Sequence, residues 1–169
     1  HYALGRDLEI ALLDNARRTG NGFCLPAGPL REPVSRLASV DFVLYRNGTE
    51  PAAAVSYEPL SWVNLASGEH RALEAFAGQK VNALAGIGQP AQFFATLRSL
   101  GIAAREHVFP DHHRFTAADF SRLTAGPILM TEKDAVKCRL LAGDDAWFLR
   151  INARLPSSLI DAVAQLAMR

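Results

Sequence analysis

The chain has 169 residues, 49% of them hydrophobic, enough to bury a substantial core in one domain or in a domain and part of another. Its 18 Lys and Arg against 17 Asp and Glu leave a net charge of +1, so no global pull toward nucleic acid is expected. Cys24 and Cys138 lack CxxC spacing, which indicates neither a zinc site nor a disulfide framework and fits a reducing, cytoplasmic setting. No run approaches the roughly 18 apolar residues of a spanning helix and no signal segment opens the chain, although surface association stays open.

There is no initiator Met, and Leu8 to Asp14 already has the near-continuous apolar look of a buried parallel strand. Its sheet neighbours are therefore expected upstream, and the chain reads as the C-terminal part of something longer. Arg17 to Pro33 is dense in Gly, Pro and Arg. The glycines and prolines shape a loop and the arginines offer planar donors suited to phosphate, so it reads as a binding loop or a structural connector. Asp41 to Tyr45 is a second strand, ended by Asn47-Gly48. Ala53 to Tyr57 and Trp62 to Leu65, split by Glu58-Pro59-Leu60-Ser61, predict a ribbon or hairpin at a boundary between lobes.

Lys80 to Ala85 is the next strand, and Pro90 opens a helix with Phe93, Phe94, Leu97 and Leu100 on one face and Gly101 at its end. Ala104 to Phe109 follows as a strand. Thr116-Ala117-Ala118-Asp119 has capping-box spacing, with Phe115 and Phe120 at the staple positions. Ile128-Leu129-Met130 is a short buried strand, and Thr131-Glu132-Lys133-Asp134 repeats the capping spacing. Trp147 to Ile151 is the last strand. Pro156 introduces a terminal helix expected to turn Leu159, Ile160, Val163 and Leu166 inward. This alternation argues for an open α/β sheet.

In such sheets ligands collect at the carboxyl ends of strands, where Asp14, Gly86-Ile87-Gly88, Asp111-His112-His113 and Thr131 to Asp134 all fall. An imidazole beside a carboxylate is the usual way to build a base near neutral pH. The same trio can bind a metal, or can be a solvated turn. Lys133 at a helix start can meet an anion or stay solvated, and Asp14 can be a structural cap. Gly86-Ile87-Gly88 lacks a third glycine at dinucleotide spacing, so a tight strand-to-helix turn is its default reading.

Four strings in order, Leu13-Asp14-Asn15-Ala16-Arg17 through Asn21-Gly22 to Leu25-Pro26-Ala27-Gly28-Pro29-Leu30-Arg31-Glu32-Pro33, then Ala85-Gly86-Ile87-Gly88-Gln89-Pro90 with Phe93-Phe94, then Phe109 to His113, then Met130 to Lys137, resemble the tetraacyldisaccharide 4'-kinase family, the lipid A 4'-kinases. The resemblance runs over nearly the whole chain. It implies an α/β, P-loop-kinase-like three-layer sandwich: a remnant of the nucleotide lobe over 1–50, a two-stranded linker ribbon over 51–66, and a C-terminal α/β lobe over 67–169 whose terminal helix packs across the lobes or back on the first. In the family an Asp-Asp-Gly-Phe-Gln-His segment, the Walker B region, precedes the first strand, so His1 aligns with its last residue. The Walker A loop, GxxxxGK[ST], lies further upstream in the family, and no such motif occurs here. Asn15-Ala16 and Arg18-Thr19 depart from the family pattern.

The implied activity is ATP-dependent phosphorylation of the 4'-hydroxyl of the tetraacyldisaccharide 1-phosphate lipid A precursor. The enzyme would use Mg2+ and ATP, would sit peripherally on the cytoplasmic side of the bacterial inner membrane, and would have no nucleic-acid partner. This chain's partner would be the missing N-terminal half, without which it is expected to be inactive. The resemblance makes His112 the first candidate and His113 the second for the ring that prepares the acceptor hydroxyl, with Asp111 orienting its neighbour. Arg17 and Arg31 would hold phosphate of the acceptor or of ATP, and Glu32 would fix an arginine or a sugar hydroxyl. Asp14, Asn21 and Lys133 complete the expected binding set, and no metal ligand is assigned. Two alternatives stand beside this reading: a non-catalytic α/β binding lobe, and an Asp-His-His metal phosphoesterase, which needs further Asp-x-Asp ligands beside a strand.

Overall fold

Residues 5–168 are described by a computed structural model. In chain order the regular elements are β1 (Ile10–Asp14), β2 (Phe42–Arg46), β3 (Ala54–Asn64), β4 (His70–Arg71), β5 (Val81–Ala85), α1 (Pro90–Ser99), β6 (Ala104–Val108), α2 (Ala117–Ser121), β7 (Ile128–Thr131), α3 (Glu132–Cys138), β8 (Ala146–Arg154) and α4 (Ser157–Ala167). They form two units, one running to Glu58 and resuming at Ala153, the other spanning Pro59–Asn152. The expected alignment of His1 lies outside the described residues.

In the first unit β1 and β2 are parallel, with Ile10 opposite Phe42 and Leu12 opposite Leu44. The start of β3 joins them through Tyr45 with Ala54 and Arg46 with Val55. Leu44, Val55 and Leu159 from α4 form the buried core here, with Leu8 and Phe42 packed against it. The terminal helix forms as expected, but Ile160 and Val163 are exposed rather than inward. A helix lying on one sheet buries one stripe, and Leu159, Ala162 and Leu166 occupy it, leaving Ile160 and Val163 beyond its edge.

The expected hairpin within 53–65 does not form. Ala54–Asn64 is one continuous strand that pairs with β2 and β4 and has β8 as its other neighbour in the sheet, so the ribbon is built from segments far apart in sequence. Pro59 is compatible with this because ladder pairing with β2 ends at Val55 and pairing with β4 begins at Trp62. Between them one edge of the strand needs no donor. Near this point Arg154 Nε meets Glu58 Oε2 at 2.7 Å.

The second unit is a three-layer α/β arrangement. Its strands run in the order β8-β7-β5-β6, all parallel, with short β4 antiparallel to β3. Alternation along each strand separates two cores. Val81, Ala83, Ala85, Leu129 and Trp147 face Phe93, Phe94 and Leu97 of α1. Leu84, Met130 and Ala146 face Phe115 and the Ala135 and Cys138 positions of α3. Burial pushes the Cys138 thiol up to about 12, helped by the nearby Asp134 charge, so it is an inert core residue. Buried Asn82 donates to the Thr124 carbonyl at 2.8 Å and accepts from the Thr124 hydroxyl at 3.0 Å. His107 Nε2 lies 3.2 Å from the Asn82 side-chain oxygen and must donate to it, while burial and then Arg105 hold the imidazole below its ordinary pKa.

Candidate functional site

At the carboxyl ends of β5, β6 and β7, within the second unit, the fold brings together Gly86 to Gly88, Asp111 to His113 and the start of α3. Parallel pairing is the reason: β6 and β7 flank β5, so the three exits lie side by side. Asp111 Oδ1 accepts from Lys133 Nζ at 3.2 Å and from the His112 backbone N–H at 3.0 Å. Lys133 and then the charge of its neighbouring imidazole hold the Asp111 carboxyl below the usual carboxylate range, so it is ionised. Lys133 thus answers a carboxylate here.

The two histidines are used differently. His112 takes a positive φ of 60°, a left-handed turn position that His adopts more readily than most residues, and its side chain is 78% exposed. Its Nε2 lies 3.7 Å from Asp111 Oδ2, close enough for electrostatic attraction and too far for a hydrogen bond. His113 stacks on Phe109 with centroids 4.7 Å apart, meets Phe115 edge-on, and places Nε2 at 3.2 Å from Asp119 Oδ2. The same Asp119 oxygen accepts from the Thr116 backbone N–H at 2.8 Å and the Thr116 hydroxyl at 2.9 Å, completing the capping box of α2. Phe115 and Phe120 make the expected staple, 6.1 Å apart. The geometry gives the metal-phosphoesterase alternative no support. The His113 ring turns to Asp119, and among the described residues no group of three or more His, Cys, Asp and Glu is arranged to hold an ion.

One residue of this cluster escaped the sequence reading in its role. Asp134 forms part of a local cap as expected, since its N–H donates to Thr131 Oγ1 at 3.2 Å. Its carboxylate is fully buried, however, and accepts from the Gly86 N–H at 3.0 Å. The available signal was the pairing of an Asp at a helix start with a glycine just past a neighbouring strand.

In the first unit the loop after β1 is shaped by its own short-range contacts. Asp14 accepts from the N–H groups of Ala16 and Arg17 at 3.0 and 3.2 Å and pairs with Arg46 at 2.6 Å. Arg46, then these backbone donors, hold its carboxyl below the ordinary value. Asn21 donates to the Ala27 carbonyl at 2.9 Å and accepts from Phe23 N–H at 3.2 Å. Glu32 fixes an arginine, and that arginine is Arg36, at 3.2 Å. Arg17 and Arg31 are exposed and make no ion pair among the described residues. Arg31 and Glu32 line a cleft of about 690 Å³ along β1 together with Ile10, Leu12, Thr19 and Leu30.

Comparison with known families decides how this arrangement is to be read. Residues 1–168 match the family Tetraacyldisaccharide-1-P 4'-kinase. The chain belongs to that family. A tetraacyldisaccharide 4'-kinase of Pseudomonas aeruginosa (strain LESB58) is 54% identical over 157 residues, which is 90% of this chain and 47% of the relative. The one from Ectopseudomonas mendocina (strain ymp) is 51% identical over 166 residues, 95% of this chain and 50% of the relative. The chain therefore spans about half the length of the curated relatives it matches. Among solved structures, the "apo" form of LpxK from Aquifex aeolicus in complex with ATP aligns with a TM-score of 0.67 and 25% identity, covering 96% of this chain and 53% of that one. The tetraacyldisaccharide-1-P 4'-kinase fold is thus the P-loop-kinase-like α/β arrangement expected from the sequence.

Proposed function

We propose that this chain forms about half of an ATP-dependent kinase that phosphorylates the 4'-hydroxyl of the tetraacyldisaccharide 1-phosphate lipid A precursor, the activity for which its relatives are named. Phosphoryl transfer of this kind depends mostly on positioning and charge neutralisation. His112 supplies the base that takes the proton from the acceptor hydroxyl, with the ionised Asp111 carboxylate beside it. The observation that carries this assignment is the contrast between the rings: that of His112 stands open to a substrate, while that of His113 is stacked and hydrogen bonded into the protein. His113 then serves as the buttress of the turn. Arg17 and Arg31, exposed and without ion pairs among the described residues, offer forked donors to phosphate.

ATP is the donor by analogy with the solved relative. Among the described residues no group of three or more His, Cys, Asp and Glu is arranged to hold a metal ion, and no step is assigned to Mg2+. A lipid acceptor makes peripheral association with the cytoplasmic side of the bacterial inner membrane the expected setting. Among the described residues no helix is long and apolar enough to cross a membrane.

The test is made in the protein of full family length. His112→Ala should lower kcat by about 10²–10⁴ with acceptor KM little changed, the signature of a group acting in the transition state. His113→Ala should lower Tm. Transfer by the 169-residue chain alone should be absent, since no GxxxxGK[ST] sequence occurs in it. Wild-type kcat in the His112 variant would overturn the assignment, and robust transfer by the 169 residues alone would overturn the division of labour.

A further inference from the structure

Among the described residues Asp134 is the fully buried charged side chain, in a core where an apolar residue would be cheaper. A carboxylate in that position is costly to desolvate unless donors surround it. Three do. Gly86 N–H donates to Oδ2 at 3.0 Å, Thr131 Oγ1 to Oδ2 at 2.8 Å, and Lys137 Nζ to Oδ1 at 3.0 Å. An acidic residue at this place in a capping box accepts the N–H of its own cap residue. Asp134 instead accepts an N–H 48 residues away, at the exit of β5. Lys137 completes the grip by reaching the Gly86 carbonyl at 3.5 Å, so both main-chain polar groups of Gly86 are held by one ion pair on α3.

Gly86 is also the floor of the Asp111-His112-His113 turn. A Cβ added to it would come within 3.4 Å of both His113 Cβ and Phe115 Cζ, and within 3.3 Å of Asp134 Oδ1. Lys137 Nζ lies 5.8 Å from the centroid of the Phe115 ring. Gly86 thus lies between the ion pair and His113, and His112 is one peptide further on.

The geometry points to Asp134, with Lys137, as a positioning residue that locks the β5 exit so that the turn seated on it presents His112 in one orientation. This rests on the role given above to His112, and two kinds of measurement separate the two ideas. Asp134→Asn keeps the shape and one acceptor while removing the charge. In the protein of full family length it should lower kcat by about 10–100-fold with acceptor KM within about twofold, the scale expected when a supporting residue lets a reacting group drift. The double variant with His112→Ala should fall no further than His112→Ala alone, because both act through one ring. Lys137→Arg should retain turnover that Lys137→Met loses.

In the 169-residue chain the same Asp134→Asn change should shift the backbone amide resonances of Gly86, His112 and His113. The indole signals of Trp62 and Trp147, in the core on the other face of the sheet, should stay in place. Should Asp134→Asn fail to fold, Thr131→Val removes one donor to the same carboxylate and is read the same way. A lower Tm with unchanged kcat, losses that multiply in the double variant, or unmoved Gly86 and His112 amides each overturn the proposal. If His112→Ala keeps wild-type turnover, the base assignment fails and the amide resonances alone decide for or against Asp134.

Discussion

β1 and β5 are five-residue parallel strands of similar apolar character, Ile10-Ala11-Leu12-Leu13-Asp14 and Val81-Asn82-Ala83-Leu84-Ala85, and their side chains meet opposite fates. Every residue of β5 is buried, whereas Ile10 is 45% and Leu12 51% exposed. β5 has a strand on each side and a packed layer on each face. β1 ends the strand order and pairs with β2 alone among the described residues. An apolar parallel strand thus states a demand for cover, and whether the demand is met depends on segments elsewhere. The loops that leave these strands differ in the same sense. After β1, Asn21 works through bonds to residues two and six positions away and Asp14 adds the Arg46 pair to its local bonds, whereas after β5 both main-chain groups of the glycine are held by an ion pair on another element.

The largest effect expected from this contrast is in the β5 core. Leu84→Ala should cost about 2–5 kcal/mol in urea unfolding, since the side chain is fully enclosed and its removal leaves a cavity in the core. Gly28→Ala should come next, at about 1–3 kcal/mol, because a Cβ there would overlap the Asn21 side chain and the Phe23 carbonyl that shape the loop after β1. If Gly28→Ala is neutral, that loop is not held by its local bonds and the contrast with Gly86 weakens.

Acid titration sharpens the comparison further. Asp14 in the first unit, and Asp111 and Asp119 in the second, all have carboxyls held below their ordinary value when folded. The unfolded chain then binds protons first, so the stability these groups contribute is fully present above the ordinary Asp range, about pH 4, and is lost as pH falls through the folded values. Tm measured from pH 6 downward should decline below about pH 4. Asp14→Asn should flatten the part of that decline owed to the Arg46 pair, and an unchanged profile would remove the Asp14–Arg46 bond from the account of the loop. The smallest effect is reserved for β1: Leu12→Ala should cost about 1 kcal/mol or less, given its exposure. A loss equal to that of Leu84→Ala would break the comparison outright.

Much of the site was legible as position and little as partnership. That Gly86, Asp111 to His113 and Lys133 gather at strand ends follows from strand and helix alternation alone. Which histidine is open did not, because the answer depends on Asp119 meeting the His113 ring with the same oxygen that caps its helix. The hairpin expected around Pro59 was a sound reading of a local breaker, overruled by β8, which lies far along the chain. Glu32 was read as able to fix an arginine, and the structure names Arg36 one turn on.

The sequence by itself determined the features whose causes lie within a few residues: the staple of Phe115 and Phe120, the Thr116 to Asp119 box, the proline start of α1 and the glycine that closes it, and the motif order that marks the family. Tertiary structure alone decided that β3 pairs with β8, that Ile160 and Val163 stay outside while Leu159 goes in, and that Asp134 reaches across to Gly86. The physical reason is that capping and periodicity act over three or four positions, whereas a sheet order, a covered face and the donors around a buried charge are set by which distant segments arrive beside one another.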